Sequence, residues 1–102
     1  MTKRSFGPRT LLYPHPDLII GTYGPDGRPD AMAAAWGGIC SSNPPAVAVS
    51  VQKVRQTYKN LMEQREFTIS IPSEEYVREA DYFGIASGRD TDKFAATGLT
   101  PI

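Results

Sequence analysis

The chain of 102 residues has one cysteine, one histidine and no excess of charge of either sign. The single Cys40 excludes a disulfide framework within the chain, and a free thiol indicates the reducing cytoplasm. One histidine and one cysteine argue against a zinc site. Eleven basic and eleven acidic residues without a basic cluster argue against nucleic-acid binding. No apolar run has the length of a membrane span, and we expect neither a span nor a signal peptide.

The length predicts one domain, and the pattern of apolar residues predicts an α+β or barrel fold. Strands are predicted at 17–23, 28–36, 47–51 and 66–71, helices at 55–65 and 73–83, and a short helical turn at 92–98. The second strand is rich in Ala, a weak strand former, so a helix is its alternative. Thr57 and Ser73 are expected to cap the two helices. Four strands do not close a barrel, and their open edges require cover.

A small-residue loop is predicted between the second and third strands, from Trp36 to Pro45. Glycine and serine there allow backbone amides to approach a flat ligand. Trp36 has two interpretations, a core residue or a ring beside an aromatic cofactor. Cys40 is expected to be an inert buried residue, since a reactive thiol needs a neighbouring base or cation.

Two polar segments have the composition of phosphate-binding sites. The segment 50–57 places hydroxyl groups and cations at the start of a predicted helix, where free amides and the helix dipole attract anions. Its alternative is a solvated, capped helix start. The segment 87–93 is a tight polar turn ending in Lys93, which is suited to meet a phosphate. Its alternative is a surface turn with local charge pairs.

Together these segments resemble the flavin reductase-like, FMN-binding split-barrel family, most closely the flavoredoxins. The resemblance covers nearly all of the chain from Leu11 onward, and the order of the segments makes it fairly specific. The matching segments are Tyr13-Pro14-His15-Pro16, Ala31 to Gly38, Cys40 to Pro45, Ser50 to Asn60 and Ser87 to Phe94.

The resemblance implies a Greek-key split barrel that forms a homodimer, with FMN bound non-covalently near the subunit interface. The stretch around Trp36 and Cys40 to Ser42 matches the part that packs on the isoalloxazine. The segment 50–57 matches the part that holds the ribityl phosphate, and the turn from Ser87 reaches the flavin. The cofactor-binding residues implied are Asp30, Ala35, Trp36, Cys40, Ser41, Ser42, Ser50, Val51, Gln52, Lys53, Arg55, Thr57, Ser87, Gly88 and Lys93.

Family members run to nearly twice this length, so the resemblance identifies residues 1–102 as the N-terminal half of such a domain and the barrel as incomplete. The leading functional hypothesis is an FMN-binding redox protein that carries electrons between redox proteins. An NAD(P)H-dependent flavin or ferric reductase is the alternative, in which the nicotinamide stacks on the flavin because the chain has no Rossmann fingerprint. A non-redox assembly fragment without cofactor is the third hypothesis.

Overall fold

The structure is a computed structural model that describes residues 2–101, in which four strands are followed by a helix, a fifth strand and two further helices. The strands are β1 (Leu18–Tyr23), β2 (Pro29–Ala34), β3 (Gly37–Ser42), β4 (Pro45–Val49) and β5 (Thr68–Ser70). The helices are α1 (Gln56–Gln64), α2 (Val77–Ile85), which follows a 3-10 turn at Glu74–Tyr76, and α3 (Lys93–Thr97). The Ala-rich segment is therefore a strand, as its flanking turn signals predict.

The larger sheet is antiparallel and has the strand order β2-β1-β5. Strands β1 and β2 form a hairpin whose turn is closed by the amide of Gly24, which donates to the carbonyl of Arg28 at 2.9 Å. Gly27 adopts a φ of 74°, a conformation that glycine reaches without steric cost. The Pro-Asp-Gly sequence of this turn is thus sufficient to predict the hairpin.

The core lies on one face of this sheet, where a row of apolar side chains crosses the three strands. Ile20 is fully buried, with Met32 opposite it on β2 and Ile69 opposite it on β5. Leu18 and Ala34 extend the row, and Val49 of β4 packs against it. The alternation of residues along β1 places these side chains on one face.

The segment expected to be a loop between Trp36 and Pro45 is instead a β-hairpin, so that prediction is wrong. Strand β3 pairs with β4 in an antiparallel two-stranded sheet, with a register shift between Ile39 and Ser41. Glycine and serine have low strand propensity, but pairing with the valine-rich β4 imposes the extended conformation. The observed β4 also begins two residues before the predicted strand.

The two expected capping residues are also wrong. Arg55, and not Thr57, occupies the N-cap of α1, and no side chain caps that helix. Ser73 precedes the 3-10 turn and makes no capping hydrogen bond. Helix α2 extends to Ile85, two residues beyond the expected end at residue 83, and so includes Gly84. A Cβ at residue 84 would lie 3.2 Å from that of Ala33. The glycine therefore allows α2 to pack closely on β2.

The chain has an open shape. Its radius of gyration is 15.6 Å, against about 13 Å for a compact domain of 100 residues. Neither sheet closes on itself, and the β3–β4 hairpin carries Ile39 in an exposed position. Within residues 2–101, no helix combines the length and the apolar character needed to cross a bilayer.

We expect Ile20→Ala to lower the free energy of unfolding by about 2–5 kcal/mol, since it opens a cavity at the centre of the core row. Ile39→Ala, the same change at an exposed position of β3, should cost less than about 0.5 kcal/mol. Urea unfolding followed by circular dichroism measures both. Equal losses in the two variants would contradict the placement of the core.

Candidate functional site

A narrow cleft lies where β2, the start of α1 and the turn after α2 meet. We call it the α1 cleft. It brings together six of the residues predicted to bind a cofactor, from four separate parts of the chain. These are Asp30, Arg55, Thr57, Ser87, Gly88 and Lys93. The remaining lining residues, which the sequence patterns did not single out, are Met32, Ala33, Gln56, Phe83, Gly84 and Ala86.

The N-terminal end of α1 forms one wall of the cleft. Helix geometry leaves the first amides of a helix without an acceptor inside it, and these amides carry a partial positive charge. The side chain of Thr57 is 1% exposed, and its Oγ1 is a buried oxygen without a hydrogen-bond partner. The adjacent Arg55 is exposed and adds a cation. A buried hydroxyl without a partner is costly, so this wall is suited to a ligand with oxygen atoms.

The opposite wall is the turn that follows α2. The amides of Asp90 and Thr91 both donate to the carbonyl of Ser87, at 3.1 and 3.0 Å. Arg89 Nη1 donates to the carbonyl of Val54 at 3.4 Å, which joins the turn to the segment before α1. A Cβ added at Gly88 would collide with the carboxylate of Asp30. Residue 88 must therefore be glycine for the turn to lie against β2.

Lys93 is a buried cation at the base of the cleft, with 3% of its side chain exposed. Its Nζ donates to the carbonyls of Ala31, at 2.6 Å, and Phe83, at 3.0 Å, and lies 4.0 Å from Asp30 Oδ1. Burial raises the pKa of the Asp30 carboxyl above its ordinary 3.8, and the Lys93 charge offsets part of this rise. Burial lowers the pKa of Lys93 below its ordinary 10.5. The alternative interpretation of segment 87–93, a surface turn with local charge pairs, does not describe Lys93, which is buried and lies close to Asp30 of β2.

The other predicted residues lie outside the α1 cleft. Trp36 is 49% exposed, which argues against its interpretation as a core residue, and lines a groove with the N-terminal segment 9–16. Cys40 is exposed on β3, so its expected burial is wrong. The amide of Ser50 donates to the carbonyl of Trp36 at 2.8 Å, which links the groove beside Trp36 to the segment that leads into α1. The other predicted residues outside the cleft are Ala35, Ser41, Ser42, Val51, Gln52 and Lys53.

A larger apolar groove of about 650 Å³ lies on the second face of the β2-β1-β5 sheet. Ile19 and Tyr23 form part of its floor, and Phe67, Phe83 and Phe94 line its sides. The sequence analysis did not identify this groove. The sequence does carry one indication of it. Large apolar or aromatic residues occur on both faces of β1, Leu18 and Ile20 on one and Ile19 and Tyr23 on the other, which is typical of a strand covered on both faces. No cluster of three His, Cys, Asp or Glu side chains suited to a metal occurs within the described part of the chain.

The fold and the cleft define an α+β protein with an open antiparallel sheet and a polar site at one helix start. The family model "Flavin reductase like domain" matches residues 10–102. The chain belongs to the flavin reductase-like family. The expected α+β fold, an incomplete split barrel, agrees with the solved structures of this family.

Individual relatives show the extent of the similarity. The flavoredoxin of Desulfovibrio vulgaris (Miyazaki F) is 58% identical with a TM-score of 0.92, over 98% of this chain and 55% of that one. An FMN-binding protein from Thermus thermophilus is 27% identical with a TM-score of 0.81, over 94% and 55% of the two chains. An uncharacterised protein of Pyrococcus abyssi is 33% identical over 89% of this chain and 52% of the relative. The chain thus spans about half the length of these relatives.

We expect the stability of Asp30→Asn relative to the unchanged protein to increase with pH above 3.8. A raised native pKa means that the folded state holds its proton more tightly than the unfolded state. The unchanged protein therefore loses stability as pH rises from the unfolded pKa through the native pKa, and the variant does not.

Urea unfolding between about pH 3.5 and pH 6.5 measures this difference. Asp26→Asn, at an exposed position of the β1–β2 turn, is the matched control. A fall in the stability of Asp30→Asn relative to the unchanged protein as pH rises would contradict the raised pKa of this carboxyl.

Proposed function

We propose that this chain forms an FMN-binding redox protein that acts in electron transfer. The observation that carries the proposal is the buried, unpartnered Thr57 Oγ1 beside Arg55 at the N-terminal end of α1. Membership of the flavin reductase-like family supports it. So does the similarity to a flavoredoxin and to a protein described as FMN-binding.

The residues of the α1 cleft fit the phosphate of FMN. The hydroxyl of Thr57 and the first amides of α1 are donors, and the guanidinium of Arg55 binds phosphate oxygens in a bidentate manner. The turn at Ser87 and Gly88 closes the opposite side. Asp30 is the one acidic side chain that lines this cleft, and Lys93, 4.0 Å away, compensates its charge.

The isoalloxazine is proposed to lie toward Trp36 and the β3 strand. The indole is half exposed, and glycines 37 and 38 follow it, so a flat ring can approach the backbone. The hydrogen bond from the Ser50 amide to the Trp36 carbonyl joins this region to the segment that leads to Arg55, which supports the proposed position of the ring. Contacts along this path are proposed for Ala35, Cys40, Ser41, Ser42, Val51, Gln52 and Lys53.

The chemistry of the proposed function is that of the cofactor, since bound FMN accepts and releases one or two electrons. The chain's own residues bind it, orient it and set its electrostatic surroundings. The 58% identity to a flavoredoxin favours electron transfer over NAD(P)H-dependent reduction. We further propose a cytoplasmic homodimer that exchanges electrons with a redox partner protein. The exposed edge of β5 and the uncovered apolar groove support association with a further polypeptide.

We expect Arg55→Ala and Thr57→Val each to weaken FMN binding by about 1–3 kcal/mol, because each removes a phosphate contact. Binding of riboflavin, which has no phosphate, should stay within about twofold of the unchanged protein. Lys59→Ala removes the same charge from an exposed position of α1 and is the matched control. Titration followed by flavin fluorescence measures all four proteins. Unchanged FMN affinity in both cleft variants would contradict the proposed site.

We expect NADH and NADPH to reduce the bound FMN slowly, because an electron carrier receives its electrons from another redox protein. Stopped-flow mixing under anaerobic conditions, followed at the visible flavin band, measures the rate. Chemical reduction of the same sample by dithionite shows that the bound flavin is redox-active. Bleaching by either nucleotide within milliseconds to seconds would overturn the carrier function in favour of the reductase. If titration of this protein with FMN produced no change in the visible spectrum, both the carrier function and the reductase function would be overturned.

A further inference from the structure

Helix α1 supplies no residue to the apolar core row, and a polar network connects it to the sheet. Among the nine residues of the helix, all of which are described, only Thr57 and Asn60 are buried. Asn60 Nδ2 donates to Thr22 Oγ1 of β1 at 3.0 Å, and Asn60 Oδ1 accepts from Gln56 Nε2 at 3.0 Å. The network Thr22–Asn60–Gln56 therefore connects the central strand of the sheet with the first residue of α1.

Hydrogen bonds determine the rotation of a helix about its own axis more strictly than apolar packing does. Apolar burial is non-directional, whereas a hydrogen bond weakens steeply when its angle is lost. Asn60 lies three residues after Thr57, so the two side chains share one face of α1. A rotation of α1 that broke the bond to Thr22 would also move the Thr57 hydroxyl and the first amides away from the Ser87–Gly88 turn.

We propose that Asn60 is a positioning residue that aims the N-terminal end of α1 at the phosphate of FMN. By holding the phosphate-binding groups of α1 in position, the network strengthens the preference for FMN over riboflavin that Arg55 and Thr57 provide. This inference rests on the proposed function. Asn60 does not line the α1 cleft, and neither does its partner Thr22. Both therefore act through Gln56 and Thr57, and the ligand does not touch them.

The test uses Thr22→Val, which removes the hydroxyl but keeps the shape, and Thr22→Ser, which keeps the hydroxyl. We expect Thr22→Val to weaken FMN binding about threefold to tenfold while riboflavin binding changes less than about twofold. Thr22→Ser should restore the affinity for FMN. Titrations of each variant with FMN and with riboflavin give the ratio of the two affinities, and thermal unfolding without flavin shows that the variants fold.

Asn60→Ala removes both hydrogen bonds of the network at a residue that does not line the α1 cleft, and it repeats the test if Thr22→Val does not fold. Equal weakening of both flavins in Thr22→Val or Asn60→Ala would overturn the inference, because a merely structural role affects both ligands. An unchanged affinity ratio would overturn it as well. If Arg55→Ala lowers the preference for FMN and Thr22→Val does not, the inference fails alone. If neither variant lowers it, the proposed phosphate site fails with it.

Discussion

The remaining structure of the site depends on the interactions of one buried group, the ammonium of Lys93. A buried charge is costly unless hydrogen bonds and an opposite charge compensate it. Here the carbonyls of Ala31 and Phe83 accept its hydrogen bonds, and Asp30 lies 4.0 Å away. One side chain thus ties the start of α3 to the edge strand β2 and to the end of α2. The turn between α2 and α3 has its position on β2 as a consequence.

The two walls of the α1 cleft are held by different polar anchors. Lys93 holds the turn through its bond to the carbonyl of Ala31, and Asn60 holds α1 through its bond to Thr22. Both anchors end on the β1–β2 hairpin, so the hairpin sets the distance between the walls. The cleft combines the positive end of a helix with the carboxylate of Asp30, and the unpartnered Thr57 hydroxyl belongs to its lining. A phosphate complements the positive end of the helix, and Lys93 compensates the negative charge of Asp30.

Sequence patterns predicted the β1–β2 hairpin and α1 nearly to the residue. They did so because a Pro-Asp-Gly turn and a regular apolar spacing are local signals. They failed for β3, where glycine and serine adopt a strand only because β4 supplies the pairing. They also failed at Gly84, which continues α2 because its missing side chain allows the helix to approach Ala33. Six residues of the site were predicted, but Gln56 and Asn60 carried no signal of their own.

The sequence by itself determined the kinds of residue at the site and the segments that carry them. Hydroxyl groups and cations before a helix are recognisable locally, since the dipole and the free amides belong to that helix alone. The tertiary structure decided which of them meet. Thr57 lost its expected capping role, and its hydroxyl was buried without a partner in the cleft. Lys93 became a buried anchor because β2 and α2, distant from it in sequence, supply the carbonyls that its ammonium needs.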